Sequence, residues 1–468
     1  MLERLEISII RYAELKENEE FRIDDAYYDK KYINIYDKLI GADKLEKIVE
    51  MHDVSSNGSF AFVQSTLNEK GERIVPYIRS GNVGDFFIDS DSLVKITSKA
   101  HEILKLSHTK LYDVMMARKG KIGGASIITE KEVDYNCNEN VIKLTMLDNT
   151  INPFYFVTFF NSMYGIKQVE RLATGNVQPW LSIYQIRKLL FLPLSKQFQD
   201  EIEKIVRKAY LKFDEYKQKY AKAENILLES LGMKDWTPVR DTMSIRSLRE
   251  VIKKARIDAE YYQPKYDELI DKLSEHNCKA LGEIAPPKKS IEPGSDAYQE
   301  FGIPFYRVSN ISKEGITDTD IFLDEEKYYT EELALKKDTI LFSKDGSIGI
   351  AYKIEKDMKA ITSGALLHLE IIDETVLPDY LALVLNSIVV KKQAERDAGG
   401  SVIQHWKTDE IAQVVIPILD MDLQKIIVEL LQESFALKNK SQKLLSKAKQ
   451  AVEIAIEQSE KEALKLLK

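Results

Sequence analysis

"RIDDAYYDKKYINIYDKL" (residues 22–39) returns at 256–273 as "RIDAEYYQPKYDELIDKL", with ten of eighteen positions identical and no gap. The offset is 234 residues, half of a 468-residue chain. From there the two copies run on in the same order. "VPYIRSGNV" (75–83) matches "IPFYRVSNI" (303–311), and "DVMMARKGKIGGA" (113–125) matches "DTILFSKDGSIGIA" (338–351) with one inserted residue. "DNTINPFYFVTFFNSMYGIKQVERLATG" (148–175) matches "DETVLPDYLALVLNSIVVKKQAERDAGG" (373–400) with 12 of 28 identities. The pattern reads as tandem duplication of a domain of about 200 residues, not as a solenoid of short units.

Each copy ends in a long amphipathic stretch. Apolar residues recur every three or four positions at Phe198, Ile202, Ile205, Ala209, Phe213, Tyr216, Tyr220, Ala223 and Leu227. The second stretch reads Leu423, Ile427, Leu430, Ser434, Leu437, Ser441, Leu444, Ala448, Ala451 and Ala455. Such stripes predict helices that pack on a partner helix. They also suit two separate helices, each lying on its own domain. Two like domains tend to pair about a two-fold axis, which makes their partner helices antiparallel. Within each copy, short strand-like runs, Gly turns and a helix-like "NPFYFVTFFNSMYGIKQVER" give a mixed pattern. The expected fold is therefore α+β: two duplicated α/β domains separated by two long helices in an antiparallel coiled coil, pseudo-two-fold symmetric. The boundaries read as a domain at 1–195, a helix at 196–232, a linker at 233–242, a domain at 243–418 and a helix at 419–468. The helical interface is expected at Ile202, Ile205, Ala209, Phe213, Tyr216, Tyr220, Ile427, Leu430, Leu437 and Leu444. At ~1.5 Å per residue the first helix would be roughly 50 Å long.

Composition narrows the function classes. The longest apolar run, "PFYFVTFF" (153–160), is far short of the ~20 residues that span a bilayer. Acids in every turn of the opening residues exclude a signal-peptide core. Cys137 and Cys278 alone support neither a disulfide framework nor a cysteine zinc site, which points to a reducing cytoplasm. The net charge of −8 argues mildly against nucleic acid, so any basic surface must be local. Phosphate-loop, nucleophile-elbow and zinc-protease motifs are missing, and the six histidines show no ligand spacing, so neither catalysis nor a metal is expected. "NPFY" (152–155) is similar to the Asn-Pro-Pro-aromatic motif of amino-methyltransferases, but the duplicated position reads "LPDY" (377–380). A Pro at a helix start accounts for both.

"ARKGKIGG" (117–124) places Arg118, Lys119 and Lys121 around glycines in a hairpin turn, and the second copy has Ser343, Lys344 and Ser347 there. Basic side chains and glycine-exposed backbone suit phosphate contact, while a solvated β-turn is the plainer alternative. Arg79 with Asn82, and Arg307 with Asn310, set an arginine and an amide three residues apart, the side chains that read guanine and adenine. A structural use of the same residues fits as well.

In order, the "RIDAEYY" motif, the "PYIRSGN"/"PFYRVSN" strand, the glycine-rich hairpin and "ATGNVQPWLS…IRKLLFLPLSKQFQDEI" resemble the specificity subunit of type I restriction–modification systems. Both copies share the resemblance, which covers nearly the whole chain. The departures are "RIDDAYY" in the first copy, and Phe198 and Leu423 where the family has a glutamate before its helix-start glutamine. The resemblance implies two target-recognition domains, each reading half of a bipartite double-stranded DNA sequence, with the helices as a ruler. It implies two separate methyltransferase subunits carrying S-adenosylmethionine, ATP-driven restriction subunits, and no cofactor on this chain. Two other readings stay open: a single-chain adenine-N6 methyltransferase, and a coiled-coil adaptor without a DNA role.

Overall fold

The computed structural model describes residues 9–17, 22–24, 26–120, 122–175, 178–239, 241, 243–254, 256–399 and 404–467. It divides the chain into two compact units, Met1–Phe213 with Asn439–Lys468, and Asp214–Lys438. Both divisions fall inside long helices, so each unit owns part of both.

In unit 1 two sheets are built from β1 (Val49–His52), β2 (Arg73–Ile78), β3 (Val94–Thr97), β4 (Val114–Ala117), β5 (Ala125–Ile127), β6 (Asn136–Cys137) and β7 (Val141–Met146). One is antiparallel in the order β1–β7–β4–β5. In the other, β2 lies antiparallel to β3 and parallel to β6. Every residue of β4 is buried, which is why "VMMA" shows no polar alternation. Its helices include α1 (Ser98–Ile103), α2 (Pro153–Asn161), α3 (Met163–Leu172) and α4 (Lys196–Ser230). The sequence suggests one helix over 152–171, but there are two. Ser162 is extended (ψ 169°) between them, and its hydroxyl donates to the Phe159 carbonyl at 2.6 Å. The aromatic residues of α2 fill the core around Phe191, with ring centroids of Phe156 and Phe159 at 5.0 and 5.2 Å. Asn161 closes the edge of β5, accepting from Ala125 N at 3.1 Å and donating to its carbonyl at 2.8 Å.

Unit 2 contains β8 (Pro287–Lys289), β9 (Ile303–Tyr306), β10 (Phe322–Leu323), β11 (Ile340–Ser343), β12 (Ala351–Lys353), β13 (Ile361–Thr362) and β14 (Leu366–Leu369). The antiparallel sheet runs β8–β14–β11–β12, and β9 is antiparallel to β10 and parallel to β13. Helices α5 (Pro378–Asn386) and α6 (Ile388–Asp397) break at Ser387, and Asn386 binds Ala351 N and O at 3.1 and 2.8 Å. Helix α7 (Met421–Glu457) follows, then α8 (Glu460–Leu467).

The repeated opening motif is a helix clamp. In unit 1, Arg22 pairs with Asp24 at 2.8 Å and donates to the carbonyls of Arg171 and Ala173, at 3.1 and 3.3 Å, behind α3. In unit 2, Arg256 pairs with Asp258 at 2.7 Å and donates to the Asp397 carbonyl at 3.1 Å behind α6. The guanidinium satisfies carbonyls that a helix end leaves without partners.

The long helices pack together within each unit. In unit 1, Ser441 donates to the Ala209 carbonyl at 2.8 Å, and Ala448, Ala451 and Val452 share a core with Phe198, Ile202 and Val206. In unit 2, Lys219 pairs with Glu433, and Tyr220 lies 6.3 Å from Phe435. Tyr216 donates to Glu314, which Lys438 also engages at 2.9 Å. Of the expected seam, Ile202, Ala209, Tyr216, Tyr220 and Ile427 are buried. Ile205, Phe213, Leu430, Leu437 and Leu444 are half-buried rather than enclosed. Phe213 instead stacks on Phe87 of its own unit at 5.3 Å. On α7 the expected positions Ile427, Ser434, Ser441, Ala448, Ala451 and Ala455 are buried, and Leu431 and Val452 are buried beside them, so adjacent apolar residues widen the stripe. The single helix expected over 419–468 is also broken. Gln458 and Ser459 both donate to the Ile454 carbonyl, at 2.8 and 3.2 Å, and Lys447 reaches the Leu467 carbonyl at 3.3 Å, so α8 folds back along α7.

Candidate nucleic-acid interface

In unit 1 the loop between β4 and β5 is held by the loop after α3. Gly120 N donates to the Pro179 carbonyl at 3.3 Å, and Leu181 N donates to the Arg118 carbonyl at 2.8 Å. Trp180 bridges to both Lys119 and Thr174. In unit 2, Gly346 N donates to the Gln404 carbonyl and Trp406 N to the Lys344 carbonyl, both at 2.9 Å. His405 there bridges to Asp345 and Gly399. Gly120 and Gly346 sit at φ 84° and 71°, a conformation that favours glycine at each tip.

The two tips differ in chemistry. Lys119 is exposed beside Trp180, which is 45% exposed, so a cation and an indole face solvent together. That combination can contact phosphate and stack on a base or sugar. In unit 2, Asp345 pairs with His405 Nδ1 at 2.8 Å and with Lys344, so the loop's own charges meet each other.

Several side chains expected at DNA have partners within the fold. Arg118 donates to the buried Asp53 carboxylate at 2.6 Å and to the carbonyls of Leu181 and Glu139, at 3.2 and 3.1 Å. Asn82 is buried, accepting from Arg79 N at 2.9 Å and donating to Asp89 O and Ser92 Oγ, at 3.1 and 3.0 Å. Asn310 repeats this with Arg307 N at 2.9 Å and Asp318 O at 3.3 Å. The Arg-x-x-Asn spacing is therefore that of a 3₁₀ turn whose amide caps the backbone. Ser343 is buried and donates to the Ser347 carbonyl at 2.6 Å. The Arg307 guanidinium is half-buried, 5.9 Å from the Tyr298 ring. Arg79, Lys119 and Ser347 remain exposed, while Lys121 lies outside the described residues.

"NPFY" is a helix start. The Asn152 side chain accepts from Phe154 N at 2.9 Å and donates to Glu203, so its amide is engaged in the fold. Sequence reasoning missed the use of Gln199 and Gln424, whose side chains accept from Asn152 N and Leu377 N at 2.8 and 3.0 Å. Their shared place just inside the long helices was the available signal. Among the described residues no helix is long and apolar enough to cross a membrane.

Residues 274–448 match the family described as "Type I restriction modification DNA specificity domain". No curated protein matches the chain. Among solved structures, the type I restriction–modification S subunit from M. genitalium aligns over 91% of this chain and 95% of its own, at 13% identity and a TM-score of 0.37. The HsdS subunit from Thermoanaerobacter tengcongensis aligns over 89% of this chain and 96% of its own, at 12% identity and a TM-score of 0.29. These scores are too low to transfer an overall arrangement.

Proposed function

We propose that the chain is the sequence-specificity subunit of a type I restriction–modification complex, because residues 274–448 match the DNA specificity domain family of such systems. Each unit reads one half of a bipartite, asymmetric double-stranded DNA target. The paired helices set the gap and dock two methyltransferase subunits, with restriction subunits joining them. S-adenosylmethionine and ATP belong to those partners, and the assembly works in the cytoplasm. The observation that carries the reading is the family match. It is supported by unit 1, where strand order, broken helix pair and loop-on-loop bridge follow the same order as in unit 2. A shared order of elements is what duplication of one reading module would leave.

The reading explains the acidic total. A local tip carrying Lys119 and Trp180 contacts DNA, while the partners supply most of the phosphate neutralisation. The single-chain methyltransferase reading loses its main support, since the Asn152 amide caps a helix.

The test is adenine-methylation mapping in cells expressing this chain with its neighbouring methyltransferase gene. A two-part motif with a fixed gap, lost when this chain is omitted, is the expected result. Methylation unchanged by its omission would remove the reading and leave the adaptor.

A further inference from the structure

Two neighbouring histidines and an aspartate from a later turn meet in unit 1. His101 is on α1, His108 follows shortly after it, and Asp134 lies in the turn before β6. Nε2 of His101 and Nδ1 of His108 each stand 3.3 Å from Asp134 Oδ1. All three ligand atoms lie within 4.8 Å of one another. With bonds of about 2.0–2.1 Å, neighbouring ligands of tetrahedral zinc are roughly 3.3–3.4 Å apart. Two edges of such a shell are therefore already at length.

The surroundings are also those of a ligand set. His108 Nε2 lies 2.7 Å from the His101 carbonyl, which can only accept, so the His108 proton belongs there. The Nδ1 lone pair of a neutral His108 then faces a carboxylate oxygen. Two acceptors at that distance repel unless a cation lies between them. A hydrogen bond from the far ring nitrogen to a carbonyl is what usually fixes the tautomer of a ligating histidine. His101 is buried, and burial with the neighbouring His108 lowers its pKa. Asp134 is 73% exposed, leaving an open side for water.

We propose that His101, His108 and Asp134 form a binding site for a zinc-class divalent cation, with water as the fourth ligand. The two rings stack at 3.7 Å and 3°, so closing on the ion requires a turn about χ2, a soft torsion for histidine. The ion would pin the turn before β6 to α1. Both histidines lie within 86–109, a stretch in which the two copies diverge, so the site would belong to the first copy alone.

The test is titration of the tag-free, metal-stripped full chain with Zn²⁺ against a chromophoric chelator, and with Co²⁺ followed by visible absorption. One equivalent is expected, with the ligand-field bands of a tetrahedral Co²⁺ site and a Zn²⁺-dependent rise in unfolding temperature. His108→Ala and Asp134→Ala, at partly exposed positions, should keep the far-UV circular dichroism and bind at least about tenfold more weakly. Absence of a stoichiometric site overturns the proposal. Unchanged affinity in both variants overturns it too, by placing the ion elsewhere, as at His52–Glu50 or His405–Asp345.

Discussion

Arg118 donates to the fully buried carboxylate of Asp53 at 2.6 Å. The hairpin that carries the exposed Lys119 is thereby fastened to the 3₁₀ turn capped by Asp53, whose carboxylate also accepts from Ser55 N at 2.8 Å. Arg118→Ala would strand that carboxylate and is expected to lower stability by about 3–5 kcal/mol in urea unfolding. Lys119→Ala and Trp180→Ala should stay within about 0.5 kcal/mol of the parent and instead weaken DNA binding by the assembled complex. Equal stability of Arg118→Ala and the parent would refute the structural role.

Ser441 and Ser434 both lie buried on α7, yet only Ser441 has a partner, the Ala209 carbonyl. Ser434 Oγ is buried without a hydrogen bond among the described residues. Ser441→Ala is expected to cost about 1 kcal/mol, and Ser434→Ala to be neutral or stabilising. Ser441→Leu should be worse than either, because the helices approach closely there. The ordering of midpoints in denaturant checks this, and the reverse order for the two alanine variants would contradict it.

His368, on β14, is buried with Thr362 Oγ1 2.8 Å from its Nε2, and burial lowers its pKa from 6.5 to about 4. The unfolded chain therefore takes up the proton first. Stability should fall as pH drops through 6.5, the loss being complete near 4 and amounting to roughly 3 kcal/mol. His368→Gln, which keeps a partner for Thr362, should flatten this part of the stability–pH curve. The same slope in variant and parent would show that other groups cause it.

Arg22 and Arg256 cap α3 and α6 from a distance in sequence. Replacing either by Ala leaves helix-end carbonyls without their donor and is expected to cost about 1–3 kcal/mol. Hydrogen exchange should then quicken at the C-terminal turn of the capped helix. Protection equal to the parent in that turn would show that the clamp is dispensable.

Much of the architecture was legible because hydrophobic periodicity and internal repetition report backbone geometry. The two long helices, the Pro at each helix start and the glycine-bearing hairpins all follow from such signals. The site was less legible, for a physical reason. Residues identical in both copies, such as Asn82/Asn310, Asn161/Asn386 and Gln199/Gln424, are those whose side chains bond to backbone, so recurrence marks scaffold. On the proposed reading, recognition belongs where the copies differ, and Trp180 against His405 is such a place. The choice between Leu430 and Leu431 was hidden because both are apolar. The approach of His101 and His108 to Asp134 was hidden because a tertiary turn, not a spacing, makes it.

The composition of unit 1 has a consequence for synthesis. Ala448, Ala451, Val452 and Ala463 are buried in the same core as Phe156 and Phe198. A ribosome delivers those small residues only after the whole of residues 214–438. The usual vectorial order, in which an N-terminal domain is finished while the rest is still being made, is inverted here. The half translated first must wait, with an open groove along α4, for the stretch 439–467 to close it.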